Sequence, residues 1–417
     1  MTAVTTPQRL VVVGASLAGL RAVEGARASG FTGSITLIGA EDHLPYDRPP
    51  LSKAYLAEAP GGPPDTTFRT EDTLRGELGV DLRLGARATG LDTEGGAVLV
   101  DGGAPVPYDA LVIATGAVAR VLPATEGLAG VHTLRTADDA AAVRRALDDR
   151  ARLVVVGAGF IGSEVASAAR ERGLPVTVVE AADVPLRRAL GDEMGMACAA
   201  LHDRAGTDLR RGVSVRAIRR DGDGIGVELG DGSTLHADLV VAGIGADPAT
   251  SWLDGSGVAL ADGVRCDRTL ATSVPSVYAA GDVAHWYNPL FGQPMRLEHW
   301  TSAAEQGATA AVNALNPGEA RPYSTVPYFW SDWYGTRIQF VGISRADEVR
   351  VVSGDPADGR WVALYRTGER LTGALAVDHP THVMKYRVMI NRGCTWNDAL
   401  DFARERSARA RRTTAVA

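Results

Sequence analysis

The sequence is poor in cysteine. Of its 417 residues only three are cysteines, Cys198, Cys266 and Cys394. They lie far apart and form no CxxC pair and no metal-type spacing, so we expect no metal site. An enzyme that reduces disulfides needs a redox-active cysteine pair, and an iron–sulfur protein needs about four thiols per cluster. Neither class fits, and we expect the three thiols to be buried or incidental.

Lysine is nearly absent as well. Lys53 and Lys385 are the two exceptions among 43 basic residues, and all the others are arginines. A lysine retained in so arginine-rich a chain is either a chance survivor or a functional group. The formal net charge of −7 argues against a nucleic-acid partner, because nucleic-acid binding depends on clustered basic residues.

Long apolar runs are also missing. No stretch reaches the roughly 18–20 residues that a membrane-spanning helix needs. Residues 1–9 are short and polar, so we expect no secretory signal and a cytoplasmic protein. With 45% hydrophobic and 22% charged residues, the composition is that of a globular protein, and 417 residues predict two or three domains.

Two copies of one β–turn–α–β pattern are present. The first copy has a strand at 9–13, the turn Gly14-Ala15-Ser16-Leu17-Ala18-Gly19, a helical pattern and a second strand at 34–38. In the second copy the corresponding parts are a strand at 153–156, the turn Gly157-Ala158-Gly159-Phe160-Ile161-Gly162, a helix at 163–172 and a strand at 176–179. The pattern is typical of Rossmann-type dinucleotide binding. The repetition therefore predicts an α/β fold with two nucleotide-binding domains.

The second copy is the more complete. Its first glycine makes the tight turn, its second lets a pyrophosphate approach, and its third allows close helix–strand packing. Glu180 closes the next strand, where a carboxylate binds ribose hydroxyls and repels a 2′-phosphate. This favours NADH over NADPH. The first copy has Ser16 in place of the second glycine, and its acidic residue, Glu41, comes one or two positions late.

The remaining chain suggests how the domains are arranged. Residues 80–116 and 209–245 are rich in short strands and end in Thr115-Gly116 and Gly243-Ile244-Gly245. From residue 327 aromatic strands predict a third, α+β domain, and we expect the arginine-dense stretch 404–412 to be a frayed tail. We expect a discontinuous FAD-binding domain at 7–118 and 246–326, an NAD-binding domain at 119–245 and the α+β domain at 327–417.

A resemblance narrows these expectations. The first glycine turn is followed by Thr115-Gly116, then by the second glycine turn and then by Ala280-Gly281-Asp282, and this order resembles the two-dinucleotide flavoprotein superfamily. The segments Leu44 to Lys53 (LPYDRPPLSK), Arg296 to Trp300 (RLEHW) and Phe329 to Asp332 (FWSD) are similar to those of ferredoxin and putidaredoxin reductases, which serve oxygenases and cytochromes P450. Apoptosis-inducing factor is a more distant relative. The match covers about residues 8–400, and Trp333 departs from it, because glutamine is expected there.

The resemblance implies positions for both cofactors. For FAD it implies Gly14, Ser16, Leu17, Ala18, Gly19, Ala40, Glu41, Arg48, Lys53, Ala88, Thr115, Gly116, Arg135, Gly281, Asp282, Glu298 and Trp300. For NAD it implies Gly157, Gly159, Phe160, Ile161, Gly162, Glu180, Gly243, Ile244 and Gly245.

The residues themselves support several of these roles. Asp282 follows a strand and a glycine, so its carboxylate can bind a polyol, although an ordinary helix N-cap remains an alternative. Lys53 follows Pro49-Pro50, which restricts the backbone. Glu164 follows the second glycine turn, and we expect a catalytic Lys53–Glu164 pair over the flavin that joins the two domains. We expect His299 to have a packing role.

These features predict an NADH-dependent ferredoxin reductase. NADH would reduce FAD, and the reduced FAD would deliver electrons to a [2Fe–2S] ferredoxin that serves a cytochrome P450 or oxygenase. The alternatives are an NADH oxidase or quinone reductase and a flavin-bearing signalling or scaffold protein. Trp330 is the expected ferredoxin-docking residue, with a place in the core of the third domain as its alternative.

Glu180 generates a testable prediction about the nucleotide. NADH should exceed NADPH in kcat/KM by about tenfold or more, which corresponds to about 1.4 kcal/mol. Glu180→Ala should narrow that gap, because the carboxylate that repels a 2′-phosphate is gone. Steady-state kinetics with both coenzymes measure the ratio, and equal efficiency of the unaltered protein with the two would contradict the assignment.

Overall fold

The computed structural model describes residues 7–58 and 60–414, and for 380–382 and 407–414 it describes the backbone alone. None of the helices in these ranges is long and apolar enough to cross a membrane. The elements of the first stretch of chain are β1 (Arg9–Val13), α1 (Leu17–Ala28), β2 (Ser34–Ile38), β3 (Val80–Arg83), β4 (Ala88–Asp92), β5 (Ala97–Val100), β6 (Val106–Pro107), β7 (Ala110–Ile113) and β8 (Ala117–Ala119).

The middle of the chain repeats the mixed α/β pattern. Its elements are β9 (Val131–Thr133), α2 (Ala137–Asp148), β10 (Leu153–Val156), α3 (Phe160–Glu171), β11 (Val176–Glu180), α4 (Arg187–Leu190), α5 (Asp192–Arg204), β12 (Asp208–Arg211), β13 (Val215–Asp221), β14 (Gly224–Leu229), β15 (Thr234–Ala237) and β16 (Leu239–Ala242).

The last part of the chain ends in an antiparallel sheet and two helices. Its elements are β17 (Ala246–Pro248), β18 (Leu260–Ala261), β19 (Gly263–Cys266), β20 (Val277–Ala279), β21 (Ala284–Asn288), β22 (Gln293–Met295), α6 (Trp300–Leu315), β23 (Tyr328–Trp333), β24 (Thr336–Gly342), β25 (Glu348–Asp355), β26 (Arg360–Thr367), β27 (Arg370–Val377), α7 (Pro380–Asn391) and α8 (Trp396–Thr414).

The chain divides into two compact units. The first comprises residues 1–47, 65–118 and 246–325, and the second comprises 48–64, 119–245 and 326–417. The first unit is built on a parallel sheet of order β20-β7-β1-β2-β3. Its strands are almost continuous apolar runs because helices such as α1 and α6 cover the sheet.

The second unit contains an equivalent parallel sheet, of order β12-β11-β10-β16-β9. In both sheets the strand before the glycine turn lies between the strand that follows the helix and a strand from much later in the chain. The second unit also holds the antiparallel sheet β23-β24-β27-β26-β25. The predicted fold class, two Rossmann-like parallel sheets and a C-terminal α+β part, is confirmed.

Residues 48–64 lie within the range 7–118 expected for FAD binding, and they pack with the second compact unit. Arginines of that unit hold the segment, because Arg144 Nη1 donates to the Tyr55 and Ala57 carbonyls at 2.6 and 3.0 Å and Arg172 Nε donates to the Leu56 carbonyl at 2.7 Å.

The expected frayed tail at 404–412 is helical instead. α8 continues to Thr414, and the residues at 415–417 lie outside the described residues. Trp396, Ala399, Leu400 and Ala403 are buried, so the first turns of α8 are held by an apolar face. Arginine and alanine then continue the helix because both are strong helix formers.

The crossing of α1 and α6 generates a prediction. A β-carbon on Gly307 would lie 2.1 Å from the backbone oxygen of Ala18, so the helices meet where no side chain fits. We expect Gly307→Ala to lower the melting temperature, since overpacking costs about 1–3 kcal/mol and exceeds the gain in helix propensity of up to about 1 kcal/mol.

Gly318→Ala is the matched control, because a β-carbon there meets no atom within 4 Å. Thermal unfolding followed by circular dichroism compares the two variants. Equal melting temperatures would mean that the helix crossing adapts to the extra methyl group.

Candidate functional site

Four predicted FAD segments meet at one edge of the first parallel sheet. The turn at 14–19 follows β1, residues 40–41 follow β2, 115–116 follow β7, and 281–282 follow β20. Since all these strands are parallel, their carboxyl ends lie together, which is where open α/β sheets bind ligands. The fold therefore brings these segments together although they are distant in the sequence.

The first glycine turn accommodates its serine without strain. Gly14 has φ +117°, and a β-carbon there would lie 2.1 Å from the carbonyl oxygen of Ala114, so this position requires glycine. Ser16 has φ −115°, which suits any residue. At the equivalent Gly159 a β-carbon would meet only the Gly243 oxygen, at 3.7 Å. The protein itself leaves this second position open, on the side from which a pyrophosphate approaches.

Both glycine turns lead directly into helices. α1 begins at Leu17 and α3 at Phe160, and neither first turn contains an acidic residue. The first N–H groups of a helix have no partner within the helix, and the helix dipole makes this end electropositive. The two turns therefore fit the phosphate groups of two dinucleotides.

The late position of Glu41 has a structural reason. The backbone register places Gly39 in the position that Glu180 occupies in the second sheet. A β-carbon on Gly39 would lie 2.6 Å from the β-carbon of Ala15, so an acidic side chain does not fit there. Glu41 instead accepts a hydrogen bond from the Tyr46 hydroxyl, which fixes its carboxylate.

Side chains of one neighbouring segment form hydrogen bonds with the turn at Gly281 and Asp282. The backbone N–H of Gly281 donates to Gln306 Oε1 at 2.8 Å, and Arg296 Nη1 donates to the carbonyl oxygen of Asp282 at 3.2 Å. Gln306 lies on α6 and is buried. At the start of the same helix, Trp300 Nε1 donates to Asp47 Oδ1 at 2.8 Å. The segment 296–306 thus positions the turn that carries Asp282, while Asp47 holds the Trp300 indole.

His299 fits the expected packing role. Burial lowers the pKa of His299 to about 4, against an opposing contribution from the charge of Asp282. The imidazole is therefore neutral at pH 7. Of the other predicted FAD residues in this unit, Ala88 begins β4, and Glu298 is exposed and accepts from Arg296 Nη1 at 2.8 Å.

The predicted NAD residues meet at the edge of the second parallel sheet. The turn at 157–162 follows β10, Glu180 ends β11, and 243–245 follows β16. Glu180 accepts hydrogen bonds from the backbone N–H groups of Ala158 at 2.8 Å and Ala182 at 2.9 Å. Its carboxylate is therefore fixed against the glycine turn. Ile161 is exposed in this turn, whereas the Phe160 ring contacts Phe329 with the centroids 4.8 Å apart.

Three residues predicted for FAD belong to the second unit. Arg48 and Lys53 lie in the segment 48–64, and Arg48 Nη1 donates to the carbonyl oxygen of Arg135 at 2.7 Å. Lys53 Nζ lies 2.8 Å from Glu164 Oε1, so the expected ion pair is present. Both partners lie in the second compact unit, because the segment 48–64 is anchored to α2 and to the end of α3.

Glu164 is a buried charged group with three donors. Its side chain is 2% exposed and that of Lys53 is 19% exposed. The hydroxyls of Ser52 and Ser331 also donate to the Glu164 carboxylate. A buried charge is tolerated when it is paired and fully hydrogen-bonded. Two chain segments supply the donors, the one that carries residues 52 and 53 and β23, and α3 carries the accepting carboxylate.

Strand β23 separates its residues onto two faces. Ser331 and Trp333 are buried, and Trp333 lies in a core with Trp361 and Tyr365. Trp330 is half-buried and stacks on Tyr328, with the ring centroids 5.7 Å apart. The core aromatic residue of this strand is therefore Trp333, and Trp330 points to the other face.

The cysteines are ill suited to redox chemistry. Cys198, Cys266 and Cys394 are free thiols. Burial raises the pKa of Cys198 and of Cys266 to about 12, so both thiols are protonated at pH 7. Because the thiolate is the reactive form, neither is a nucleophile under these conditions.

Several residues of the site were not identified from the sequence. Ser52, Tyr46 and Ser331 lie inside the motifs that carried the resemblance, but serine and tyrosine are common, and nothing in their spacing indicates a partner. Gln306 lies on a helix that is otherwise rich in alanine, which is the only sequence signal of a special role.

Comparison with protein families accounts for nearly the whole chain. Residues 8–307 match the family described as pyridine nucleotide-disulphide oxidoreductase. Residues 328–407 match the family described as reductase C-terminal. The boundary between the two matches falls just before β23, where the antiparallel sheet begins.

Several similar proteins of known name or structure are ferredoxin reductases. The anthranilate 1,2-dioxygenase system ferredoxin–NAD(+) reductase component of Burkholderia cepacia is 38% identical over 88% of this chain and 90% of its own. The ferredoxin reductase for the CYP199A2 system from Rhodopseudomonas palustris has a TM-score of 0.87 at 35% identity, covering 93% of this chain and 95% of that one. The covalent putidaredoxin reductase–putidaredoxin complex gives 0.86 at 32% identity, covering 93% of each chain.

The contact between Gln306 and Gly281 generates a prediction about the flavin site. Gln306→Met keeps the size of the side chain but leaves the buried Gly281 N–H without its acceptor, at a cost of about 1–3 kcal/mol. The turn that carries Asp282 should shift, and the protein should bind FAD about tenfold more weakly. Titration of flavin-free protein by fluorescence measures the dissociation constant.

Gln293→Met, an exposed change on β22, serves as the control. Unaltered FAD affinity in a folded Gln306→Met protein would show that Gln306 supports the helix packing and not the cofactor turn.

Proposed function

Because this chain belongs to the pyridine nucleotide-disulphide oxidoreductase family, we propose that it transfers electrons from NADH through FAD to a [2Fe–2S] ferredoxin. It is an FAD-dependent oxidoreductase that uses a nicotinamide dinucleotide. The ferredoxin would serve an oxygenase or a cytochrome P450, because the names of reductases similar to this chain assign such systems to those reductases.

One observation carries the proposal: two equivalent parallel sheets each end in a glycine turn and a helix N-terminus. A chain with one such site binds one dinucleotide, whereas this arrangement provides for two. FAD, when bound, accepts two electrons from NADH as a hydride and releases them singly, which matches a two-electron donor to a one-electron acceptor. The buried, protonated thiols favour an acceptor outside the chain.

The residues of the chain would then bind and orient. Asp282 and Glu41 would hold polar groups of FAD, and Glu180 would hold the ribose of NADH. Lys53 and Glu164 form a rigid charge pair that would tune the electrostatics of the flavin and act in hydride transfer. A lysine 19% exposed is well placed to present its ammonium group while the buried carboxylate neutralises it.

The outward face of β23 would receive the ferredoxin. Trp330 and Tyr328 form a stacked aromatic pair there, and the Arg387 guanidinium lies 6.0 Å from the centroid of the Tyr328 ring. Partly exposed tryptophan beside arginine is the composition of an interface centre. Arginine also suits an acidic partner, whose approach it would steer.

The proposed location is the cytoplasm. Cys198, Cys266 and Cys394 are all free thiols in the structure, as is typical of a reducing compartment.

Trp330 generates the experiment that tests the proposal. In Trp330→Ala, reduction of the bound flavin by NADH should stay within about twofold of the unaltered protein, whereas reduction of a [2Fe–2S] ferredoxin should fall about tenfold or more. Higher salt should slow the ferredoxin step further, because it screens charge steering. Anaerobic stopped-flow mixing measures the two half-reactions separately.

Tyr287→Ala, which removes an exposed aromatic residue of the first unit, is the control. If the reduced protein reacts rapidly with oxygen or a quinone but not with any ferredoxin, it is an oxidase or quinone reductase. Slow reduction by NADH, with a long-lived complex, would instead indicate a flavin-bearing signalling or scaffold protein. Equal loss of both half-reactions in Trp330→Ala would give Trp330 a structural role.

A further inference from the structure

Trp333 stands at the position in the aromatic strand where glutamine is expected, and it makes one specific polar contact. Its side chain is 1% exposed and packs in the core of the antiparallel sheet. Its indole Nε1–H donates to the Ser331 hydroxyl oxygen at 2.7 Å. Ser331 and Trp333 are two residues apart on one strand, so their side chains lie on the same face of β23.

The direction of this hydrogen bond determines to which group the Ser331 hydroxyl donates. An indole N–H is a donor only, so the Ser331 oxygen accepts from it. A hydroxyl has a single hydrogen, and that of Ser331 donates to Glu164 Oε1. A glutamine side chain both donates and accepts, so it would allow the hydroxyl to turn towards it instead. Tryptophan allows one direction only.

The receiving carboxylate is the partner of Lys53. Glu164 Oε1 accepts from Ser331 and from Lys53 Nζ, which lies at 2.8 Å, while Oε2 accepts from Ser52. The rotation of the carboxylate is thereby fixed, and the position of the ammonium group is fixed with it. Hydrogen bonds in such a buried network strengthen one another, because each donor polarises the next.

We propose that Trp333 and Ser331 are positioning residues of the reductase, which orient Glu164 and through it Lys53. This inference rests on the proposed function, in which that pair acts in reduction of the flavin. It gives the C-terminal sheet a part in the first half-reaction as well as in ferredoxin docking. β23 carries the positioning side chains on its buried face and Trp330 on the other.

The test separates the hydrogen bond from the packing of the indole. Trp333→Phe keeps an aromatic ring but removes the donor. Trp361→Phe is the matched control, because Trp361 lies in the same core, is fully buried, and its Nε1 finds no hydrogen-bond acceptor among the described residues. The two variants should lose similar amounts of melting temperature. Only Trp333→Phe should slow anaerobic reduction of the bound flavin by NADH, by about tenfold.

A double-mutant cycle identifies the route. Ser331→Ala should slow flavin reduction as much as Trp333→Phe, and the double variant should be no more than about twofold slower than Ser331→Ala, since the tryptophan acts through the serine. Both variants should also alter the pH dependence of the reduction rate, because Ser331→Ala removes a donor to the carboxylate and Trp333→Phe frees the Ser331 hydroxyl to turn away from it. Ser256→Ala, which alters another buried serine, should leave rate and pH dependence unchanged.

Three outcomes would overturn the inference. The first is equal slowing of flavin reduction by Trp361→Phe and Trp333→Phe, the second is a double variant that shows the product of the two single effects, and the third is flavin reduction at the unaltered rate in Ser331→Ala. The comparison of Ser331→Ala with Ser256→Ala decides the matter even where Trp333→Phe fails to fold. Failure of the unaltered protein to accept electrons from NADH would instead contradict the proposed function.

Discussion

A carboxylate buried to 2% exposure must be neutralised, and in this protein that requirement acts on Glu164. One cation and two hydroxyls satisfy it, and they come from chain segments that are far apart in the sequence. Removing one partner from a buried pair of this kind costs about 3–5 kcal/mol, because the other charge is left uncompensated. The segment at 48–64, helix α3 and strand β23 are therefore held to one another by a shared polar centre.

This centre explains the most unexpected feature of the architecture. The segment 48–64 follows strand β2 of the first sheet, yet it belongs to the second unit. Lys53 and Ser52 bind Glu164, and the carbonyls of the following residues accept from Arg144 and Arg172. The Pro49–Ser52 turn, which begins with two prolines, restricts the backbone so that Ser52 and Lys53 reach the carboxylate together.

The two parallel sheets show how one design is adapted to two ligands. Both need glycine at the first position of the turn, since a β-carbon at Gly14 or Gly157 would collide with a carbonyl oxygen of the neighbouring strand connection. They differ at the end of the next strand. In the second sheet Glu180 is fixed there by two backbone N–H groups, while in the first sheet Ala15 leaves no room and Glu41 takes over two residues later. Each sheet edge thus has an acidic side chain, Glu180 at the end of the strand in one sheet and Glu41 two residues further on in the other.

The sequence by itself determined the fold class, the duplicated dinucleotide turns, the resemblance to reductases and the Lys53–Glu164 contact. Glycine turns between a strand and a helix are local patterns, and local patterns can be read from a single chain. Only the tertiary structure decided that 48–64 joins the second unit and that Ser52 and Ser331 complete the Glu164 site. It also decided that Gln306 holds the Gly281 turn. On β23 it showed that Trp333 rather than Trp330 is the core residue. Each of these depends on which distant segments meet, and a serine or glutamine carries no sequence signal of its partner until the packing of the chain brings that partner within hydrogen-bond distance.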